Sequence, residues 1–326
     1  MEKKGRILSG MRPSGKLHIG HFIGTLNNWV KLQDEYSCYY MVADLHALTT
    51  EYANTGNLKD NTQEMVLDWL ACGLDPQKSV IFRQSDIKEH SELHMVLSMI
   101  TPLGWLFRCP TYKEQLKEIK DKDIHTYGFL GYPVLQAADI LMYKATHVPV
   151  GEDQLPHLEL TREIARRFNF LYGEIFPEPK AILSNAPRVP GTDGRKMSKS
   201  YNNAICLADT PAEITQKVNQ MFTDPQKIRL TDLGHPEGCI VYAFHKFFSE
   251  NAQETEALCK EGKIGCVADK KELTKNILKI LEPVREKREQ FAKQKGLVDD
   301  ILAQGRKQAF DYASQVMAEV LKTIKL

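Results

Sequence analysis

The amino-acid sequence predicts an α/β fold, in which a parallel sheet covered by helices on both faces is followed by a smaller all-helical region. Short strand-like runs alternate with helical patterns up to about residue 190, and this alternation is typical of a parallel sheet. Beyond that point helical patterns continue, and no strand pattern of similar strength follows. These two observations together predict the fold class.

Four segments have the composition of β-strands. Residues 6–9 form an apolar run that ends at Gly10, residues 38–43 are rich in aromatic and apolar side chains, and residues 79–82 are mostly apolar. Residues 146–150 are a weaker candidate, and the proline among them predicts an edge position or a strand end. We expect these segments to pair in one sheet.

Helical periodicity lies between and after these strands. Apolar residues recur at three- and four-residue spacing over 58–72 and over 153–168. Gly73 and Pro76 end the first of these helices. Later helical patterns cover residues 211–222, 241–250, 271–293 and, as one long amphipathic helix, 300–324.

The change of pattern near residue 190 predicts the domain organisation. A chain of 326 residues is long enough for one large domain and a smaller one. We predict a sheet-containing domain over residues 1–190 and a helical domain over residues 191–295. The last part, residues 296–326, is predicted to be a helix that packs back on the sheet-containing domain.

The composition excludes several classes of protein. Hydrophobic residues make up 42% and charged residues 26%, which is typical of a folded protein and not of a disordered or collagen-like chain. No apolar run reaches the roughly 20 residues that cross a bilayer, and no secretory leader pattern is evident. We therefore expect a cytoplasmic protein without a membrane partner. The seven cysteines, an odd number, are then expected to be reduced thiols or metal ligands.

Charge gives one local indication of a nucleic-acid partner. The formal net charge of +1 neither favours nor excludes such a partner. Residues 270–295, however, hold nine basic and four acidic side chains, a net charge of +5 (nine minus four). Such a segment could contact phosphates, and a solvated amphipathic helix explains the charge equally well.

The first motif with chemical meaning is residues 13–21, which follow the first strand and open a helix. The N-terminus of a helix carries unpaired N–H groups and the positive end of the dipole, so it suits phosphate. Gly15 allows a tight turn, and Gly20 leaves room for a flat adenine against the backbone. His18 and His21 lie three residues apart on one helical face, where both could donate to phosphate oxygens.

The second motif is residues 196–200, which follow a glycine-rich approach. Lys196 and Lys199 place two ammonium groups three residues apart, and these can stabilise the charge that develops as pyrophosphate leaves. A mobile loop could bring them to ATP after ATP binds. Each motif alone has an ordinary explanation, namely capping histidines or a solvated lysine-rich loop. The two motifs in this order, one after the first strand and one after the sheet-containing domain, favour the functional interpretation.

The two motifs resemble the HIGH and KMSKS motifs of class I aminoacyl-tRNA synthetases, which have a Rossmann-like catalytic domain. The resemblance implies that an amino-acid carboxylate attacks the α-phosphate of ATP, with Mg²⁺ present, and that the aminoacyl group then passes to tRNA. It also implies that His18, His21, Lys196 and Lys199 are the catalytic residues. The implied ATP-binding residues are Arg12, Ser14, Gly20, His21, Gly151, Asp153, Lys196, Met197, Ser198 and Lys199.

Two further segments indicate which amino acid is activated. In residues 132–141, Gln136 and Asp139 lie one helical turn apart, and a buried carboxylate such as Asp139 could accept a hydrogen bond from an indole N–H. A second segment, residues 148–154, holds Asp153 and Gln154 at a strand-to-helix junction, where α/β proteins bind ligands. From residue chemistry alone, a salt-bridged structural Asp139 and a helix-capping Asp153 are equally good explanations.

Both segments resemble those of tryptophanyl-tRNA synthetases, as do residues 10–24 and 43–47, and the resemblance covers essentially the whole chain. It implies that Asp139 recognises the indole of L-tryptophan, and that tRNA(Trp) and a homodimer partner bind the chain. Arg12 stands where many bacterial members have glutamine. The implied tryptophan-binding residues are Tyr132, Gln136, Asp139, His46 and Gln154.

Three other classes of protein are alternatives to this assignment. Tyrosyl-tRNA synthetases share the fold and also place a Gln and an Asp on this helix, so the Gln136–Asp139 pair alone does not separate the two families. A non-catalytic RNA-binding relative would have no use for the pyrophosphate-handling lysines. A nucleotidyltransferase with a small-molecule acceptor is disfavoured by the helical domain and by the second motif.

Three cysteines in the helical domain raise the question of a metal cluster. Some tryptophanyl-tRNA synthetases hold an iron–sulfur cluster there on four cysteines, the last two separated by two residues. This chain offers Cys239, Cys259 and Cys266, but Asp269 occupies the fourth place. Because clusters prefer thiolates, the departure favours leftover cysteines over an intact cluster. The same domain is implied to read the anticodon, so we expect RNA contact near residues 270–295.

Overall fold

A five-stranded parallel sheet forms the centre of the protein. The structure, a computed structural model, describes residues 3–118, 123–183 and 189–326. The strands are β1 (Arg6–Met11), β2 (Ser37–Val42), β3 (Ser79–Arg83), β4 (His147–Val150) and β5 (Lys180–Leu183). Their order is β3-β2-β1-β4-β5, so the direction of winding reverses between β1 and β4. In open α/β sheets ligands bind at such a reversal, outside the carboxyl ends of the strands.

Helices cover both faces of this sheet. Alternate residues of β2 point into two different apolar clusters, with Tyr40 and Val42 on one face and Tyr39 and Met41 on the other. This arrangement explains why β2 is an apolar run and not an alternating one. The Tyr40 hydroxyl, buried with its ring, donates to the carbonyl of Trp29 at 2.9 Å.

The fourth and fifth strands differ from the prediction. The fourth strand is internal, since β4 pairs with both β1 and β5, so the predicted edge position is wrong. The predicted strand end agrees with the structure, because Pro149 lies one residue before the end of β4. Proline has no backbone N–H, but β4 pairs with β1 only through His147 and Ile7, so no hydrogen bond to β1 is lost at Pro149. We did not predict β5, because it has only four residues and follows Pro177 and Pro179.

Fourteen α-helices are described within the three ranges given above. They are α1 (Ile19–His21), α2 (Asn27–Glu35), α3 (Asp44–Glu51), α4 (Leu58–Ala71), α5 (Glu89–Ile100), α6 (Leu103–Arg108), α7 (Pro110–Glu118), α8 (Tyr127–Met142), α9 (Leu155–Tyr172), α10 (Pro211–Asn219), α11 (Ile240–Phe248), α12 (Ala252–Lys260), α13 (Cys266–Ala292) and α14 (Leu297–Ile324). A π-helical turn over Phe22–Leu26 joins α1 to α2. Within the described ranges, no helix is both long and apolar enough to cross a membrane.

The helical region and the sheet share packing. One apolar cluster joins Tyr40 of β2 and Val66 of α4 to Phe244 of α11 and Leu273 of α13. The C-terminal helix α14 lies against β3, where Gly305 approaches so closely that a Cβ there would stand 1.8 Å from the carbonyl oxygen of Ile81. Only glycine permits this contact without a shift of the helix.

Candidate active site

A cavity of about 360 Å³ opens at the carboxyl ends of β1 and β4, where the winding of the sheet reverses. The walls come from β1, from the first turns after β2 and β4, and from α8. Eight of the residues predicted to bind ATP or tryptophan line it: Arg12, His21, His46, Tyr132, Gln136, Asp139, Gly151 and Gln154. The other predicted residues, described below, lie outside this lining.

Asp139 lies at the base of the cavity in a dense hydrogen-bond network. His46 Nε2 lies 2.8 Å from Oδ2, and His90 Nδ1 lies 2.6 Å from Oδ1. The Gln84 amide donates to both oxygens at 2.9 Å. His90 Nε2 is in turn 2.9 Å from the hydroxyl of Tyr143.

This network sets the charge of the carboxyl group. Burial acts to raise the pKa of Asp139, which is only 2% exposed, but the contacts with His46 and His90 outweigh it and lower the pKa to about 2. The group is therefore ionised at neutral pH. Its four contacts occupy about as many positions as a carboxylate offers. An indole N–H could be received only by sharing an oxygen with one of these donors.

A second chain of hydrogen bonds runs along one wall of the cavity. The His157 Nδ1–H donates to Gln154 Oε1 at 3.1 Å, because an amide oxygen can only accept. Burial lowers the pKa of His157 to about 4, so the ring is neutral and its Nε2 accepts from the Tyr132 hydroxyl at 2.9 Å. Gln154 Nε2 donates onward to Asp153 at 3.0 Å.

Asp153 and Gly151 lie beside that wall. Asp153 is exposed and belongs to a 3-10 turn, and the N-cap of α9 is Gln154, so the helix-cap explanation for Asp153 is wrong. A Cβ at Gly151 would stand 2.8 Å from Oδ1 of the exposed Asp153 side chain.

The first motif places its two histidine rings together at the start of α1. Their centroids are 3.8 Å apart, and the backbone N–H of His18 donates to His21 Nδ1 at 3.3 Å. Burial is the main cause that lowers the pKa of His18 to about 4 and that of His21 to about 3, and Lys199 adds to both shifts. Both rings are thus neutral at pH 7, and since Nδ1 of His21 accepts, its proton is on Nε2.

The glycines of this motif have clear geometric roles. Gly15 has a φ of +95°, a backbone conformation that favours glycine. A Cβ at Gly20 would stand 2.9 Å from Nδ1 of His18 and 3.7 Å from Sδ of Met197. Gly20 therefore makes room for the His18 ring; its predicted place beside adenine stays a prediction.

The second motif reaches the first through Lys199. Its ammonium donates to the carbonyl of Ser14, and burial lowers its pKa. The segment just after the motif also pairs with the first motif, since the Ile19 N–H donates to the Ile205 carbonyl at 3.0 Å. Met197 is buried, and Lys196 is exposed. The structure thus brings Lys199, and not Lys196, into direct contact with the first motif.

The buried amide of Asn203, which no sequence pattern singles out, holds the second motif in shape. Asn203 Nδ2 donates to Asp193 at 2.7 Å and to the Lys196 carbonyl at 3.1 Å, and its Oδ1 accepts from the Ser198 N–H at 2.8 Å. A Cβ at Gly191 would stand 2.2 Å from Asn203 Nδ2. A side-chain amide 2% exposed and fully bonded fixes the loop backbone from both sides.

The cysteines of the helical region do not fit a four-thiolate cluster. Cys239 is buried, and burial raises the pKa of Cys239 and of Cys259, so both favour the thiol form. Asp269, in the fourth place, is paired with buried His245 at 3.1 Å. Among residues 3–118, 123–183 and 189–326, no group of three or more His, Cys, Asp or Glu side chains is arranged to hold a metal ion. That no cluster forms stays a prediction.

Three residues that support the predicted site residues were not predicted from the sequence. Gln84, His90 and Asn203 contact predicted residues but belong to no recognised motif. His157 was noticed only as part of a segment. A usable signal existed for Gln84, which directly follows β3, because the carboxyl ends of parallel strands meet at one edge of the sheet.

Comparisons with known proteins identify the family of the chain. The family described as tRNA synthetases class I (W and Y) matches residues 1–282. A tryptophan–tRNA ligase of Thermotoga maritima is 53% identical over 325 residues, covering 98% of this chain and 99% of the relative. One from Aquifex aeolicus is 45% identical, covering 98% of this chain and 100% of the relative.

A solved structure extends the agreement to three dimensions. The tryptophanyl-tRNA synthetase of Campylobacter jejuni, complexed with ADP and tryptophan, is 34% identical and superposes with a TM-score of 0.89. The match covers 98% of this chain and 100% of that one. The family match, the full-length relatives and the shared fold lead to one conclusion: the chain belongs to the tryptophanyl-tRNA synthetases of class I.

Proposed function

We infer that this protein uses ATP to convert L-tryptophan to tryptophanyl-adenylate and then transfers the tryptophanyl group to tRNA(Trp). The observation that carries the inference is one cavity with two chemically different ends. One end holds the ionised Asp139 and its donors, and the other holds His21, with Lys199 lying against the same motif. An aromatic amino acid and a nucleotide can then meet at the switch point of the sheet.

At the nucleotide end, we propose that the carboxylate oxygen of tryptophan attacks the α-phosphorus of ATP and that pyrophosphate leaves. His21 offers a neutral Nε2–H to a phosphate oxygen, and His18 acts beside it. Because both imidazoles are uncharged, Lys196 and Lys199 are proposed to supply, together with Mg²⁺, the positive charge that stabilises the leaving pyrophosphate. Arg12, Ser14, Gly20, Gly151, Asp153, Met197 and Ser198 complete the proposed ATP contacts.

At the amino-acid end, Asp139 is proposed to recognise the indole N–H, with Gln136, Tyr132, His46 and Gln154 around the ligand. The network observed around Asp139 sharpens this proposal. His46 is the donor of that network that lines the cavity, so it is the one that an indole N–H would meet beside the carboxylate.

We propose that Mg²⁺ accompanies ATP and is held chiefly by its phosphates. Mg²⁺ usually keeps several waters and binds through one or two carboxylates and the substrate phosphates, so a cage made of protein is not required. The ion would neutralise charge on the phosphates. We assign no residue of this chain to it.

RNA contact is proposed on the exposed side of α13. Lys275 and Lys279 have side chains 77% and 78% exposed, and each has an acidic neighbour only at 3.7 to 3.9 Å, where pairing is weak.

We propose residues 1–190 as catalytic domain, 191–295 as second motif plus anticodon-binding domain, and 296–326 as the returning helix. The cytoplasm, where tRNA is charged, is the proposed location.

A homodimer is proposed through α5 and α6. The sequence segment proposed as the interface is residues 93–105, and its first residue, Leu93, is buried within the protomer. Its neighbours instead leave apolar side chains exposed, with Met99 76% and Leu103 61% exposed. Met99→Glu should lower the mass measured by sedimentation, while Phe170→Glu, at an equally exposed position on α9, should leave it unchanged. An unchanged mass for Met99→Glu would argue against this interface.

The deciding experiment for function is ATP–pyrophosphate exchange with each of the twenty amino acids. Exchange with tryptophan alone is expected. Lys199→Met should reduce it strongly, whereas Lys307→Met, an exposed lysine of α14, should not. Exchange with tyrosine would overturn the specificity. Absence of exchange in folded, ATP-binding protein would favour a non-catalytic RNA-binding relative.

A further inference from the structure

An ion pair that joins α13 to α4 ends at the first motif. Arg288 of α13 places Nε 2.6 Å from Asp68 Oδ1, and a second nitrogen of the guanidinium lies 2.7 Å from Glu64 Oε2. The other oxygen of Asp68 accepts the backbone N–H of Leu17 at 2.8 Å. Leu17 belongs to the first motif, whereas Asp68, Glu64 and Arg288 belong to neither motif.

The Asp68 carboxylate is shielded from solvent, so water cannot replace its protein partners. Asp68 is 0% exposed and Leu17 is 1% exposed. Burial of an unpaired charge is costly, so Asp68 depends on Arg288 and on the Leu17 amide to remain ionised. Burial in fact raises the pKa of Asp68, and those two partners act to lower it.

Leu17 is the residue directly before His18, and its backbone is held on two sides. Its N–H is bound by Asp68, and its carbonyl accepts from the N–H of Leu207 at 2.9 Å, in the segment that follows the second motif. The peptide that carries His18 is therefore clamped between α4 and the segment after Lys199. A shift of Asp68 would move this peptide and the histidine rings with it.

The charge of Asp68 also reaches the second motif. Asp68 is among the groups that act to raise the pKa of Lys199 and so favour its ammonium form. One buried carboxylate thus supports the position of one motif and the charge of the other. Glu64, at the outer side of the pair, is partly exposed and contacts neither motif.

We propose that Asp68 and Arg288 are positioning residues for adenylation: Arg288 fixes the Asp68 carboxylate, which fixes the Leu17 amide and thereby the His18–His21 pair against the second motif. This inference rests on the proposed function. The contact also links α13 directly to the ATP end of the cavity. The exposed side of the same helix is the proposed RNA-contacting face.

The test compares Arg288→Met with Arg285→Met in full-length protein. Arg285 lies one turn earlier on α13, and its one ion-pair partner among the residues that the structure describes is Glu289 of the same helix, at 3.9 Å, so it is the matched control. Exchange kinetics give kcat and the KM values for ATP and for tryptophan separately, and thermal unfolding monitors folding. Arg288→Lys, which keeps the charge but loses the two-pronged contact, serves as the conservative variant.

Arg288→Met is expected to lower kcat/KM for ATP by about 10- to 100-fold, the effect of displacing catalytic groups by about 1 Å, and to change KM for tryptophan less than threefold. Arg288→Lys should be intermediate and Arg285→Met unchanged. A KM for tryptophan that rises as much as the KM for ATP, an unaltered kcat/KM for ATP, or failure of both Arg288 variants to fold would each overturn the proposal. Wild-type protein without tryptophan-dependent exchange would instead contradict the proposed function itself.

Discussion

Removal of the Asp139 carboxylate should destabilise the protein as well as weaken tryptophan binding. In Asp139→Ala, the donors on Gln84 and His90, both 0% exposed, lose their acceptor and cannot turn to water. An unsatisfied buried polar group costs about 1–3 kcal/mol, so these two cost about 2–6 kcal/mol of the free energy of unfolding. His46 borders the cavity, where water can replace the lost contact.

Asp139→Asn separates the structural role from the substrate contact. It preserves the volume and one acceptor oxygen, so the loss of unfolding free energy should be smaller than for Asp139→Ala. If Asp139 also receives the indole N–H, losing the charged acceptor should cost a further ~1.5–3 kcal/mol, or about 10- to 150-fold in KM for tryptophan. The KM for ATP should change little, because the contacts of Asp139 are at the other end of the cavity.

Urea unfolding at pH 7 and exchange kinetics provide the two measurements. Asp34→Ala is the control, since its carboxylate is 59% exposed and makes a surface pair with Lys78; the expected change is within ~0.5 kcal/mol. The reasoning fails if Asp139→Ala unfolds within ~1 kcal/mol of wild type, or if the Asn variant is the less stable of the two. A large stability loss with an unchanged KM for tryptophan would make Asp139 purely structural.

Three further outcomes follow from the structure. The histidines at positions 18, 21 and 157 have pKa values of about 3 to 4 in the folded state against 6.5 as the ordinary value, so the unfolded chain binds more protons between those limits. The free energy of unfolding should therefore fall by up to ~1.4 kcal/mol per pH unit for each histidine as the pH drops from 6.5 to about 4, and a flat urea-unfolding profile over that range would contradict this. Asn203→Ala should loosen the second motif, seen as faster tryptic cleavage near Lys196 and a raised KM for ATP; unchanged cleavage would show that other contacts hold the loop. Gly305→Ala should lower the melting temperature, because its Cβ overlaps the Ile81 carbonyl, whereas Gly56→Ala, with nothing within 4 Å, should not; equal melting temperatures would refute the close approach.

The sheet could be predicted from sequence where strands are buried on both faces. Residues 38–42 of β2 are a continuous apolar run for that reason, whereas the apolar runs of β1 and β3 are shorter, at 7–8 and 80–82. The predicted positions of all three strands agree with the structure to within one or two residues. The four-residue strand β5 has exposed ends and so offers too few buried positions for a pattern. The internal place of β4 depends on which strand it pairs with, and local sequence does not encode this.

The candidate site also has a part that could be predicted from the sequence and a part that could not. Its motif residues were recognisable because each motif is contiguous, and the glycines at 15 and 20 have local geometric reasons. Of the donors to Asp139, His46 of α3 was predicted, whereas Gln84, in the turn after β3, and His90 of α5 were not; they lie 55 and 49 residues away from Asp139. Only the folded sheet brings α5 to α8, so no local pattern could have selected His90.

The two ends of the cavity differ in what holds them, and this difference predicts how the reaction can be perturbed. The end that holds Asp139 is built from helix and strand ends whose side chains bond to one another in a buried network, so its geometry is fixed by the fold. The second motif instead depends on the amide of Asn203 and on the contact of Lys199 with Ser14. Substitutions in the network should therefore alter selection of the amino acid and stability together. Substitutions around the loop should alter use of ATP and leave the choice of amino acid intact.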